Sequence, residues 1–421
     1  MNIFLILPRI PYPVRDGGAV VMWQTLEHLT KYGHRVTVLV LNTSRHRTDA
    51  DVLDRIAHRV YSVNVTTDIT VYGALRSLLL PREPLHTSLP SPSYWIERFL
   101  SLEAYTLAEE ILDSESFDVI QCESLFTAWY GIALTEQRRT RGRSTPPIVL
   151  RAHNVESRIM GRLSQESSRS APERWYRQQL AHHTERFERA VAQSVHGVAT
   201  LSEEDRTWFT SVAPSTPSIS IPPGIVLATQ DNHAQRQYST LCLLASMEWA
   251  PNVAGARWFV REVLPNILLR RPDTVLHIAG RNPGSEILQL HNGHNIIVHG
   301  EIESASEFRA QHAISIVPLF SGSGIRIKIL EALAAKQAVV STSIGAEGLN
   351  VEHGQHLTIA DTAEEFANAC LWLLDHSDQA QIMGNRGAEL IASNYSWESS
   401  IRALSTLYAT LRTTSQEPAN D

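Results

Sequence analysis

The chain has 421 residues, 43% of them hydrophobic and 19% charged, with a formal net charge of −7. That length exceeds one typical domain and supplies apolar material for more than one core, and the acidic balance argues against nucleic acid as a partner. The three cysteines, Cys122, Cys242 and Cys370, sit far apart in apolar surroundings, which reads as buried thiols in a reducing, cytoplasmic compartment with no zinc-binding spacing.

Residues 2–7 form a short apolar run, as a buried parallel strand should, broken by Pro8, Pro11 and Pro13. The run is too short, and its start too little basic, for a signal peptide, and no stretch reaches the ~18–20 apolar residues of a spanning helix. After a loop with Gly17 and Gly18, residues 19–33 carry apolar side chains at helical spacing and stop at Gly33. Strands follow as RVTVLVL, RVYSVNV, DVIQC, PIVLRA and HGVATLS, with helical stretches between most of them. The segment 75–100 mixes Leu, Trp, Arg and Pro. It reads as a helix packed on its own domain, with peripheral contact to the inner membrane face as the alternative.

Residues 216–238 are rich in Pro, Ser and polar residues, the composition of a linker. A second alternation then begins with STLCLLASM. It continues through a helix over 252–271, the strands VLHIAG, NIIVHG, AISIVPL and AVVST, and a last helix over 397–411. The expectation is an α/β protein of two doubly wound parallel-sheet domains, 1–215 and 239–396, facing a cleft, with a terminal helix 397–415 packing back on the first. Ligands of such sheets bind beyond the carboxyl ends of the strands, so the chemistry belongs in the loops after strands.

Three such loops hold unusual residues. Gly17 and Gly18 let backbone N–H groups approach an anion at a helix start, or simply make a tight turn. His153, just past the strand PIVLRA, is placed to meet a sugar hydroxyl, or to bond a nearby backbone group. In PLFSGSGIRIKILEALA, a helix is expected from about Ile325 to Lys336, with Arg326 and Lys328 in its first turn, where the helix dipole disfavours cations. An anion held at the helix start explains that placement; the alternative is a capped surface helix with ordinary solvated charges. Glu331 on the same helix is suited to accept hydrogen bonds from a ribose diol. There is no G-x-G-x-x-G fingerprint, which makes a nicotinamide dehydrogenase a poor reading, and no Asp-x-Asp pair suited to a metal–diphosphate bridge.

The motifs PYPVRDGGA, FDVIQCES, RAHNVES, SMEWAPNVAGARWFVREVLPNI, LHIAGRNP, IIVHGEI, VPLFSGSGIRIKILEALA, VVSTSIGAEGL and YSWES cover nearly the whole chain. Together they resemble glycosyltransferases of family 4, closest to a subgroup with a G-x-G-x-R-x-K-x-L-E helix motif. The resemblance implies the GT-B fold, and transfer of a sugar from a nucleotide-sugar donor with retention, without a metal or other cofactor. The acceptor is a saccharide or lipid-linked saccharide, often in polysaccharide synthesis. It places Gly17 and Gly18 at the donor phosphates and His153 at the transferred sugar. Gly324 and Ile325 fall at the diphosphate and sugar, and Ile302, in the loop after Gly300, at the base. Glu331 falls at the ribose, and Arg281 among the nucleotide-sugar contacts. Two departures stand out. Ser323 replaces the first glutamate of the family's paired-glutamate motif, and the stretch around Ser246 lacks the usual arginine and lysine clamp. Arg326 and Lys328 are expected to take over that clamp. A GT-B epimerase, and a degenerate non-catalytic nucleotide-binding partner, are the alternatives.

Overall fold

The structure, a computed structural model, describes residues 1–14, 16–79, 87–164, 170–227, 236–322 and 324–416, with side chains to 413. Ser323 and residues 80–86 lie outside the described residues. The chain forms two compact units, Met1–Pro223 with Glu398–Asp421, and Gly224–Trp397.

The first unit is a seven-stranded sheet: β1 (Asn2–Leu7), β2 (Arg35–Thr43), β3 (Arg59–Val65), β4 (Val119–Glu123), β5 (Ile148–Ala152), β6 (Gly197–Thr200) and β7 (Ser218–Ser220). The order is β3-β2-β1-β4-β5-β6-β7, and every pairing is parallel. Because side chains alternate across a strand, each apolar run supplies two cores. Phe4, Ile6, Ile120 and Leu150 bury on one face, and Ile3, Leu5, Val119 and Val149 on the other. Fully burying one such side chain contributes about 1.5–3 kcal/mol. β7 falls within the stretch read as linker from its composition. A strand of three residues at a sheet edge is too short and too polar to announce itself.

The helix Trp397–Gln416 belongs to the first unit from Glu398 onward. Its Ile401, Leu404, Leu407 and Leu411 recur at helical spacing and bury against Ile3, Leu5, Val119 and Val149. This is the return of the terminal helix that the resemblance implies.

The second unit is a six-stranded parallel sheet: β8 (Gln237–Leu244), β9 (Val275–Ala279), β10 (Ile296–Gly300), β11 (His312–Val317), β12 (Ala338–Ser341) and β13 (Thr358–Ile359). Its order is β10-β9-β8-β11-β12-β13. The helix expected over 252–271 is interrupted. It runs as Ala250–Trp258, a π-helical turn Phe259–Val263, and Leu264–Leu268. Pro265 supplies no N–H to an α-helical ladder, which accounts for the break ahead of it. The helix after β11 covers Ile327–Ala334, shorter than expected. Gly322 and Gly324 at φ 115° and 78° keep the preceding loop non-helical.

Among the described residues no helix is long and apolar enough to cross a membrane. Of the segment 75–100, Tyr94 and Ile96 are buried in the first unit. Leu75 and Leu79 are exposed on the helix Val71–Leu79, beside Val71 and Tyr72. The three cysteines are buried free thiols.

Candidate functional site

In an open parallel sheet the crevice lies where the strand order reverses. Here those points fall between β1 and β4 in one sheet, and between β8 and β11 in the other. Gly17 and Gly18 follow β1 at the first of these points, and Arg326 and Lys328 follow β11 at the second.

In the first unit, Gly17 and Gly18 open the helix Gly17–Lys31 rather than forming a separate turn. Asp16 caps it: its Oδ1 accepts from the Ala19 N–H at 3.0 Å and from Arg9 Nη2 at 2.5 Å. A Cβ on Gly18 would stand 3.4 Å from both Arg9 Nη2 and Asp16 Oδ1. The glycines therefore contribute small size at a helix start, next to an arginine that sequence reasoning missed. His153 lies one residue beyond β5, as expected. Its partner is not backbone: Nε2 sits 2.5 Å from Glu123 Oε2, at the end of β4. Glu123 is fully buried and also accepts from Gln121 Nε2 at 2.5 Å. The sequence signal that could have found it is polar residues inside a buried parallel strand, which ordinarily reads apolar throughout.

In the second unit, Arg326 is buried and stands just before the helix, as its N-cap residue, not in the first turn. Its Nη1 donates to the Gly324 carbonyl at 2.6 Å. Lys328 is in the first turn. Its Nζ donates to Asn252 Oδ1 at 2.5 Å and sits 5.6 Å from the centre of the Trp249 ring. Asn252 in turn donates to the Ser246 carbonyl at 2.7 Å. Leu244, Ala245, Asn252, Pro318 and Lys328 line a pocket there. Desolvation, reinforced by the nearby Arg326 guanidinium, pulls the Lys328 ammonium down to about 7. Two cations beside one helix start, with the dipole against them, make a site that an anion would relieve. Trp249 packs so closely on Gly322 that a Cβ there would lie 2.7 Å from its ring.

The remaining predicted residues are placed differently. Glu331 Oε2 accepts from Arg309 Nη2 at 2.5 Å, so an unpredicted arginine fixes the carboxylate's orientation. Arg281, after β9, is paired with Glu248 at 2.5 Å, and Asn282 Nδ2 donates to the same carboxylate at 2.5 Å. Ile302 turns inward, packed against Cys242, Ala279 and Phe308. Ile325 precedes Arg326 in the same loop, its N-terminal neighbour Gly324 in the left-handed region. Among the described residues no group of three or more His, Cys, Asp or Glu is placed to hold a metal ion.

Each unit is a helix-covered, doubly wound parallel sheet with polar residues beyond its strand ends, which is the two-sheet α/β architecture of the GT-B fold. Residues 15–229 match the model of Glycosyltransferase Family 4, and residues 239–376 match that of Glycosyl transferases group 1. The chain belongs to glycosyltransferase family 4. It is 25% identical over 382 residues to an uncharacterized 44.6 kDa protein in the cps region of Klebsiella pneumoniae, covering 87% of this chain and 89% of that one. Its fold is similar to that of sucrose-phosphate synthase from Thermosynechococcus elongatus (TM-score 0.69, 16% identity, 98% of this chain and 100% of that one). It is also similar to Anabaena HepE in complex with UDP and glucose (TM-score 0.63, 13% identity, 97% and 99%).

Proposed function

We propose that this glycosyltransferase moves a sugar from a nucleoside-diphosphate sugar to an acceptor hydroxyl, with retention of anomeric configuration, in the assembly of a polysaccharide or glycoconjugate. The observation that carries the donor reading is the pair Arg326 and Lys328, held beside one helix start at the β8/β11 switch point. Anabaena HepE, of similar fold, is described in complex with UDP-glucose, and the relative in a cps region supports the polysaccharide role.

In this reading the leaving diphosphate is stabilised by Arg326, Lys328 and backbone N–H groups, with no metal step. Glu331 binds the ribose and the loop around Ile302 receives the base. His153 acts at the transferred sugar, stabilising charge as an oxocarbenium-like species forms. The acceptor hydroxyl attacks from the face that the diphosphate leaves, and a departing phosphate oxygen takes its proton. Peripheral contact through Val71, Tyr72, Leu75 and Leu79 would suit a lipid-linked acceptor, and liposome flotation tests it.

The deciding experiment is a thermal-shift panel of UDP, GDP, ADP, CMP and dTDP with their sugars, on wild type and Glu331→Ala, with and without EDTA. One nucleotide should stabilise wild type in either buffer and lose its effect in Glu331→Ala. Absence of any shift at millimolar ligand would sink the donor reading, and Ser323 in place of the first motif glutamate would then favour a non-catalytic role. Donor consumed with no glycoside formed would point to an epimerase.

A further inference from the structure

We propose that Glu123 is the positioning residue for His153: its carboxylate fixes the imidazole with the proton on Nε2, leaving Nδ1 as the acceptor for a hydroxyl of the transferred sugar. This rests on the glycosyltransferase reading above, in which His153 acts at that sugar.

The inner face of the first sheet carries an anomaly. Gln121 and Glu123 on β4 and Arg151 on β5 are polar, share one face with Val119 and Val149, and are all buried. Glu123 and Arg151 are register partners on adjacent strands. The polar groups form a directed chain. Tyr408 Oη, from the helix Trp397–Gln416, donates to Gln121 Oε1. Gln121 Nε2 donates to Glu123 Oε1 at 2.5 Å, and Glu123 Oε2 lies 2.5 Å from His153 Nε2.

The directions are not free. An ionised carboxylate only accepts, so Gln121 must turn its NH2 toward Glu123 and its oxygen toward Tyr408, which must then donate. By the same rule His153 Nε2 must carry the hydrogen that points at Glu123. In the neutral ring Nδ1 is then bare. Arg151, the register partner of Glu123 on β5, sets a buried guanidinium beside that carboxylate. Burial lowers its pKa, and Glu123 and then Tyr408 oppose that shift. Its Nε and Nη1 have no hydrogen-bond partner among the described residues. An apolar core would serve stability better than this buried set. A fixed imidazole tautomer is the property that an apolar core cannot supply. Glu123 acts through His153, and no contact of its own with the sugar is invoked.

The test is nitrogen-15 NMR of full-length protein labelled in histidine, with His153→Gln used only to assign the His153 resonances. Wild type at pH 8 should show His153 as a single Nε2–H tautomer. In Glu123→Gln the Nδ1–H form should rise to a comparable population. Release of UDP from UDP-glucose should fall roughly tenfold or more in kcat, with KM little changed. If Glu123→Gln does not fold, Glu123→Asp, one methylene shorter, should show the same tautomer mixing. An Nδ1–H tautomer in wild type, or an unchanged Nε2–H tautomer in the variant that folds, overturns the proposal. If no nucleotide sugar is turned over by wild type, the donor reading fails, and the tautomer shift still decides the role of Glu123.

Discussion

Lys328 Nζ lies 2.5 Å from Asn252 Oδ1, so a cation rooted in the helix after β11 is tied to the helix after β8, across the point where the strand order of the second sheet reverses. In the function proposed above, Lys328 stands in for the clamp lysine that the family resemblance places on the β8 side. The arrangement has a cost that sets its pH dependence.

With the Lys328 ammonium pulled down to about 7 in the fold and near 10.5 when unfolded, the unfolded state binds more protons between those values. Stability therefore rises as pH climbs from about 7 toward 10.5, and falls on the way back down. A bound diphosphate favours the charged form, so nucleotide affinity should strengthen as pH drops through about 7 and weaken above it. Calorimetric titration of UDP and GDP between pH 6 and 9 should show that slope in wild type and a flat, weak response in Lys328→Met. The same substitution should raise the melting temperature by about 2–4 °C at pH 7. A variant that bound nucleotide normally would remove Lys328 from the site.

Arg309 orients Glu331, so the two substitutions should act on the same ligand group. Glu331→Ala should cost about tenfold or more in nucleotide affinity, the worth of a charge-assisted hydrogen bond. Arg309→Met should cost less, and should narrow the preference for a ribonucleotide over its 2′-deoxy form. Equal losses on both nucleotides would mean that the arginine only supports the local fold.

His277 on β9 stacks on His299 of the adjacent β10, with Nδ1 2.9 Å from His299 Nε2, and His312 on β11 packs tilted against His277 and is bonded to Thr240 on the intervening β8. Burial first, then mutual repulsion, depresses His277 and His312 to about 4, and lowers His299 as well, with His291 as its charged neighbour. Depressed histidines stabilise the fold above about 6.5 and lose that contribution as pH falls toward 4. Urea unfolding at pH 5 should show the second unit weakened by on the order of 1 kcal/mol per ring relative to pH 7.5, after allowance for solvent screening. His277→Phe should flatten that difference, and an unchanged acid profile would count against the stack as its source.

Tyr408→Phe removes the hydroxyl that donates to Gln121 and leaves a buried amide oxygen without that partner. The cost should be about 1–3 kcal/mol in chemical denaturation, with the apolar packing of Ile401, Leu404 and Leu407 intact. A loss below about 0.5 kcal/mol would mean that the chain from the terminal helix to Glu123 carries no energy.

Much of this protein was legible without coordinates, because the signals are local. Apolar runs of strand length alternating with helical spacing specify parallel sheets covered on both faces, and loops after those strands specify where ligands go. That reasoning singles out His153, Gly17, Gly18 and the Arg326–Lys328 stretch as residues in or beside loops that follow strands. Local signals could not supply the partners. Glu123 meets His153 over 30 positions, Lys328 meets Asn252 over 76, and Tyr408 meets Gln121 over 287. Periodicity fixes which face a residue occupies, but not which distant strand or helix is laid beside it. Strand order, and the return of the terminal helix onto the first sheet, decided that Glu123 would be a buried partner of His153, that Glu331 would be tied to Arg309, and that Ile302 would turn inward.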